Sequence, residues 1–147
     1  MPSGSPDPHD LQRFVTAQDP VYDRVRDELQ AGAKRSHWMW FIFPQIAGLG
    51  HSAMAQKYAI ASRDEAVAYL RHPALGLRLK ECTELVLAVQ DRSIHAILGS
   101  PDDVKFCSSM TLFAAVAEDN AVFRDAIARY YAGRADQKTL DILRGAT

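Results

Sequence analysis

The stretch of sequence at residues 34–45, KRSHWMWFIFPQ, decides the fold, because it holds both tryptophans and a run of six consecutive apolar residues. The run at 38–43 has neither the period of an amphipathic helix nor that of a strand, and the chain offers no second strand-like run to pair with it. We therefore expect a short helix or an irregular buried segment that ends at Pro44.

On both sides of this stretch the sequence is patterned as amphipathic helices. In the clearest example, Leu75, Leu79, Cys82 and Val86 form one apolar stripe. In the helix predicted at 20–31, Glu28 falls with the other charged residues on the side expected to face solvent. The remaining segments are predicted at 10–18, 52–61, 62–70, 73–90, 93–98, 102–117, 120–132 and from 136 onward. Seven to nine helices, some short, predict an all-α domain, a compact orthogonal helical array.

The length and composition indicate one soluble globular domain. The chain has 147 residues, of which 48% are apolar and 24% charged, enough to bury a core. Residues 1–9 contain three prolines and almost nothing apolar, so we expect a disordered leader, with order starting at Asp10 as the cap of the first helix. Residues 10–147 form the predicted single all-helical domain.

The charge distribution argues against nucleic-acid and membrane binding. Seventeen Lys and Arg balance eighteen Asp and Glu, and both signs are spread along the chain, so no basic stripe is available for phosphates. No apolar run is long enough to span a bilayer. Two isolated cysteines and the absence of a signal peptide favour a cytoplasmic location. No spacing of His, Cys or carboxylates predicts a metal site, and no cofactor is expected.

Two interpretations of the aromatic stretch remain open. Trp38, Trp40 and Phe43 could stack on a flat ligand, with Gln45 supplying a donor and an acceptor. His37 is the candidate general acid or base, since imidazole titrates near neutrality. The alternative is that the aromatic residues are simply core and that His37 bonds to backbone.

A second candidate region is the helix predicted at 102–117. Its polar side carries Lys105, Ser108, Ser109 and Thr111, which would form a binding face, while Val104 falls on the side expected to be buried. An ion pair between Asp102 and the lysine one turn later explains part of the same pattern without any ligand.

Several segments together resemble a bacterial family catalogued as domain of unknown function 1810. The segments are residues 36–45, 48–50, 69–73 and 108–113, with Asp103 and Lys105. The resemblance spans about residues 10–145. It implies a single all-helical cytoplasmic domain and carries no assigned reaction, so no catalytic residue follows from it.

Two functions are therefore expected from the sequence. The first is a small-molecule pocket for a nucleotide-like or planar anionic ligand, between the aromatic stretch and the helix at 102–117. An all-helical family of N-glycosidases is similar in size and class, and this analogy would make the chain a hydrolase using His37. The alternative is a non-enzymatic interaction module or homodimer whose aromatic stretch is core.

Overall fold

The computed structural model describes residues 7–145, which fold into ten helices and form no strand. The all-α prediction is confirmed, with one helix more than the expected upper limit. The only pairing outside helices in this range is an isolated parallel bridge between Ile46 and Ile60. The helices are α1 (Gln12–Gln18), α2 (Tyr22–Gln30), α3 (Met39–Ile42), α4 (Ala53–Lys57), α5 (Arg63–Arg71), α6 (Leu75–Ala88), α7 (Ile94–Leu98), α8 (Asp102–Val116), α9 (Ala121–Tyr131) and α10 (Gln137–Gly145).

The start of α1 differs from the prediction. Asp7, not Asp10, accepts the free N–H groups of the helix, from Leu11 at 2.8 Å and from Gln12 at 2.9 Å. Asp10 itself has a positive φ of 50°. Most of the predicted leader, residues 1–6, lies outside the described residues.

Helix α6 has the face that its sequence predicts. Leu75, Leu79, Cys82 and Val86 are all at most 1% exposed. The apolar side of α8 was predicted wrongly, because Val104 is 62% exposed while Phe106 is fully buried. Helices α5, α7, α9 and α10 all contact α8, and a helix surrounded in this way is apolar on most of its circumference, so period alone does not identify one inward face.

The aromatic run forms the short helix α3 and is mostly buried, as expected. Its last aromatic ring, Phe43, packs edge-on against Phe106 of α8, with ring centroids 4.9 Å apart. The buried side chain of Gln18 donates from Nε2 to the carbonyl of Phe41 at 2.7 Å. These contacts fix the segment between α1 and α8.

No helix within residues 7–145 has the length and apolarity needed to cross a bilayer.

A close approach of α5 and α6 depends on Gly76. A Cβ atom built at this position would lie 2.1 Å from the carbonyl oxygen of Leu70, which is backbone and cannot turn away. We expect Gly76→Ala to lower the free energy of unfolding by about 1–3 kcal/mol, the usual cost of forcing an extra carbon into a packed interface. Urea denaturation measures this effect. Gly145→Ala is the control, since nothing lies within 4 Å of its Cβ position, and an equal loss in both variants would contradict the prediction.

Candidate functional site

The aromatic stretch is anchored at its start by the carboxylate of Glu28, on α2. This side chain accepts the backbone N–H of Arg35 at 2.7 Å and of Ser36 at 3.0 Å. It also accepts the indole N–H of Trp38 at 2.9 Å and the hydroxyl of Ser36. Glu28 was predicted to face solvent with the other charged residues of α2, but it is only 9% exposed. Four donors on the chain that follows α2 compensate the cost of burying its charge.

The same environment fixes the ionisation of Glu28. Burial alone would raise its pKa, but the hydrogen bonds from Ser36, from the Arg35 N–H and from Trp38 outweigh burial and lower the pKa to about 2. The side chain is therefore a carboxylate at any physiological pH.

Trp38 is part of the core and does not present a face to a ligand. It is 1% exposed. The ammonium of Lys34 lies 5.0 Å from the centre of the Trp38 ring and forms an ion pair with Asp102 at 2.9 Å. The expectation that Trp38 stacks on a ligand is therefore corrected, because its indole is enclosed between Glu28 and Lys34.

A narrow cleft lies at the other end of the stretch. Trp40, Phe43 and Gln45 line one side of it, and Lys105 of α8 reaches it from the other side. The Lys105 ammonium sits 5.5 Å from the centre of the half-buried Trp40 ring. The remaining lining residues are Met39, Ile46, Gly48, Gly50, Ala55, Tyr58 and Ala59. The structure thus brings four of the predicted site residues together at the cleft. Phe43 is only 1% exposed, so the expectation that it stacks on a ligand is corrected as it is for Trp38.

Several polar groups at this cleft are available for a ligand. Within residues 7–145 the carboxamide of Gln45, the hydroxyl of Tyr58 and the backbone N–H groups of Gly48 and Gly50 have no hydrogen-bond partner. The Lys105 ammonium is held only loosely, 3.9 Å from Asp102, whose other carboxylate oxygen already bonds Lys34. One positive charge beside unpaired N–H donors is an arrangement that suits an anion.

The wall formed by residues 58–60 is held by Arg13 of α1. The guanidinium donates to the carbonyls of Lys57 and Ala59, both at 2.8 Å, and forms an ion pair with Glu65 at 2.8 Å. The parallel bridge joins this wall to the aromatic stretch, since the N–H of Ile60 donates to the carbonyl of Gln45 at 2.8 Å. The bridge therefore joins the two walls of the cleft, and Arg13 holds one of them without lining the cleft itself.

The other predicted site residues lie elsewhere. His37 is exposed, does not line the cleft and has no hydrogen-bond partner within residues 7–145. Ser108, Ser109 and Thr111 are at most 3% exposed, so the predicted polar face of α8 is not a surface. Ser108 and Thr111 instead bond Asp136, which starts α10: Ser108 Oγ donates to its carboxylate at 3.2 Å, and Thr111 Oγ1 accepts its N–H at 2.8 Å.

Sequence reasoning missed Glu28, Arg13 and Tyr58. A signal existed for Glu28, since it directly precedes Leu29 of the apolar stripe and the indole N–H of a buried tryptophan requires an acceptor. No local pattern connects Arg13 or Tyr58 to the aromatic stretch. Within the described range, no group of three or more His, Cys, Asp or Glu side chains is arranged to hold a metal ion.

Comparison with known proteins places the whole domain in one family. A family model described as "Protein of unknown function (DUF1810)" matches residues 8–143. Among solved structures, the conserved hypothetical protein Rv1873 from Mycobacterium tuberculosis is similar, with 56% identity and a TM-score of 0.93 over 94% of this chain and 99% of that one. None of the curated proteins compared with the chain matches it. The chain therefore belongs to the DUF1810 family.

Proposed function

We propose that the chain binds a small ligand through an anionic group held in the cleft between Trp40 and Lys105. The observation that carries this proposal is a set of donors at the cleft that have no partner within residues 7–145, namely the N–H groups of Gly48 and Gly50 and the Gln45 carboxamide. They lie beside a lysine whose ion pair with Asp102 is long, 3.9 Å, and shares that carboxylate with Lys34. Polar groups left without partners at a concave site are where a ligand gains most from hydrogen bonding.

The size of the cleft limits the ligand. Its enclosed part is about 10 Å³, room for about one water molecule. The rest of the cleft is open to solvent, so most of a bound ligand would lie outside the enclosed part. Only a single atom of the ligand, such as one oxygen of a carboxylate or a phosphate group, enters fully. The planar part of a nucleotide-like ligand lies at the mouth, against Trp40.

The proposal is binding without catalysis. His37, the candidate acid or base, lies outside the cleft lining and has no partner among residues 7–145 to orient it. Hydrolysis of the N-glycosidase type would need such a group within hydrogen-bonding reach of the substrate.

Ligand-induced stabilisation tests the proposal. We expect the melting temperature to rise by several degrees with AMP or benzoate, each a planar group bearing an anion, because a ligand at 100 times its Kd stabilises by about 2.7 kcal/mol. Lys105→Gln should abolish the rise, since it removes the only cation among the described residues that line the cleft. Lys138→Gln is the matched control, because this exposed lysine lies outside the cleft.

Inorganic phosphate separates the two parts of the site. If inorganic phosphate by itself raises the melting temperature, the binding energy comes from Lys105 and the N–H groups. If only AMP and benzoate raise it, contact with the Trp40 ring is needed as well. The proposal is overturned if none of the three compounds shifts the wild-type protein, or if both lysine variants respond equally.

A further inference from the structure

A second concave surface lies on another part of the molecule, where the turn from α5 to α6 faces the connection from α8 to α9. This groove has a volume of about 690 Å³, far more room than the cleft. Leu77 lines it with 70% of its surface exposed. The other apolar residues lining it are Val67, Leu70, Val116, Val122 and Phe123.

The two walls of the groove carry opposite charges. Arg71 and Lys80, both exposed, line the wall formed by α5 and α6. Glu118 and Asp119, also exposed, line the wall formed by the connection from α8 to α9. Arg71 and Glu118 approach across the groove to 4.0 Å, but their side chains are 75% and 96% exposed. An ion pair this exposed contributes little to stability, so these charges are available to a partner.

We propose that the groove is the contact surface for a second copy of this chain, related by a two-fold axis that runs along the groove. Such an axis places the basic wall of each copy against the acidic wall of the other, so both pairs of walls are complementary. The edges of the two grooves then meet, and the exposed Leu77 is covered on both copies.

The charge pattern is also the reason to choose this occupant over others. A partner of one sign, such as an anionic lipid surface or an acidic peptide, is attracted by Arg71 and Lys80 but repelled by Glu118 and Asp119. A neutral apolar ligand would leave both charged walls unused. A surface with one basic and one acidic wall satisfies both walls of the groove, and a second copy of the chain has such a surface.

Charge reversal gives a direct test by analytical ultracentrifugation. The wild type, 16.3 kDa per chain, should sediment as a dimer that dissociates on dilution. A basic-wall variant (Arg71→Glu with Lys80→Glu) and an acidic-wall variant (Glu118→Lys with Asp119→Lys) should each be monomeric, because like charges then face each other twice. Mixing the two variants should restore the dimer, since each altered wall meets its complement and the unaltered walls still pair.

Control measurements distinguish a variant that cannot dimerise from one that does not fold. Far-UV circular dichroism must show all variants folded, and Lys138→Glu, an exposed reversal outside the groove, should leave the dimer intact. Leu77→Ser should weaken the dimer without changing the charge. A monomeric wild type at every soluble concentration overturns the proposal and leaves the groove to a peptide or acyl chain. Wall variants that stay dimeric, or a mixture that stays monomeric, overturn it as well.

Discussion

Glu28→Ala is expected to lower the free energy of unfolding by about 3 kcal/mol, since each buried donor left unpaired costs about 1–3 kcal/mol. The substitution removes the acceptor for the N–H groups of Arg35 and Ser36 and for the indole N–H of Trp38. All three donors lie at the start of the aromatic stretch, so removing their acceptor also releases this part of the chain from α2. Urea denaturation monitored by tryptophan fluorescence measures the change, because Trp38 itself reports on it.

The isosteric variant Glu28→Gln separates charge from shape. Its carbonyl oxygen can still accept the three N–H groups, so we expect it to retain more than half of the stability that Glu28→Ala loses. A loss equal to that of the alanine variant would show that the charge, not the hydrogen-bond geometry, holds the segment.

The pH dependence of the free energy of unfolding independently tests how much the ionised Glu28 side chain stabilises the fold. Its pKa falls from 4.5 to about 2 on folding, so the folded state stabilises the ionised form. The resulting stabilisation is complete above pH 4.5 and is lost as the pH falls from about 4.5 to about 2. Glu28→Gln should remove this component of the acid-induced loss. Parallel pH profiles for wild type and Glu28→Gln would refute the assignment.

The long helices and the all-α fold class were predictable, because the spacing of apolar residues within each segment is enough to indicate a helix. Apolar residues at steps of three or four, such as those from Leu75 to Val86, indicate the buried face of a helix that packs on one side. The same rule failed for α8, where Val104 was expected inside and is outside. A helix contacted by four others has no single apolar stripe, so its sequence fits more than one face.

The candidate site was predictable only where it lies within the aromatic stretch and at Lys105. The stretch is conspicuous because six apolar residues in succession must be buried and because Gln45 follows directly. The contacts that shape the site join residues far apart in the chain, such as Arg13 with Ala59, and nothing in the local sequence around either residue indicates the other. The burial of Ser108, Ser109 and Thr111 is likewise set by the approach of α10 and Asp136, not by the pattern of α8 itself.

The stretch at 34–45 therefore has two parts with different roles. Its first part is closed by the Glu28 carboxylate and by Lys34, which fix Trp38 in the core. In its second part, Trp40 and Gln45 are partly exposed and border the cleft. A defect in the first part should act mainly on folding, and one in the wall that faces the second part should act on folding and ligand binding together.

Arg13→Met provides the test of that wall. We expect a loss of about 3–5 kcal/mol in the free energy of unfolding, the usual cost of breaking a buried ion pair by removing one partner. The side chains of Arg13 and Glu65 are 15% and 4% exposed, so the carboxylate left behind has little access to water. Methionine keeps the length of the apolar stem, and the loss therefore reports the guanidinium and its bonds to the carbonyls of Lys57 and Ala59 and, nearer in the chain, of His9 and Asp10.

The double variant Arg13→Met with Glu65→Gln separates the buried charge from the carbonyl contacts. Removing the charge of Glu65, which has lost its ion-pair partner, should recover part of the stability, because an unpaired buried carboxylate costs more than a neutral amide in the same place. It should not recover the full response to AMP or benzoate, since the carbonyls of Lys57 and Ala59 still lack their donor and the wall carrying Tyr58 is held by the bridge at Ile60 alone. If the double variant regains stability and ligand response together, Arg13 acts only as the counter-ion of Glu65 and the positioning role is refuted.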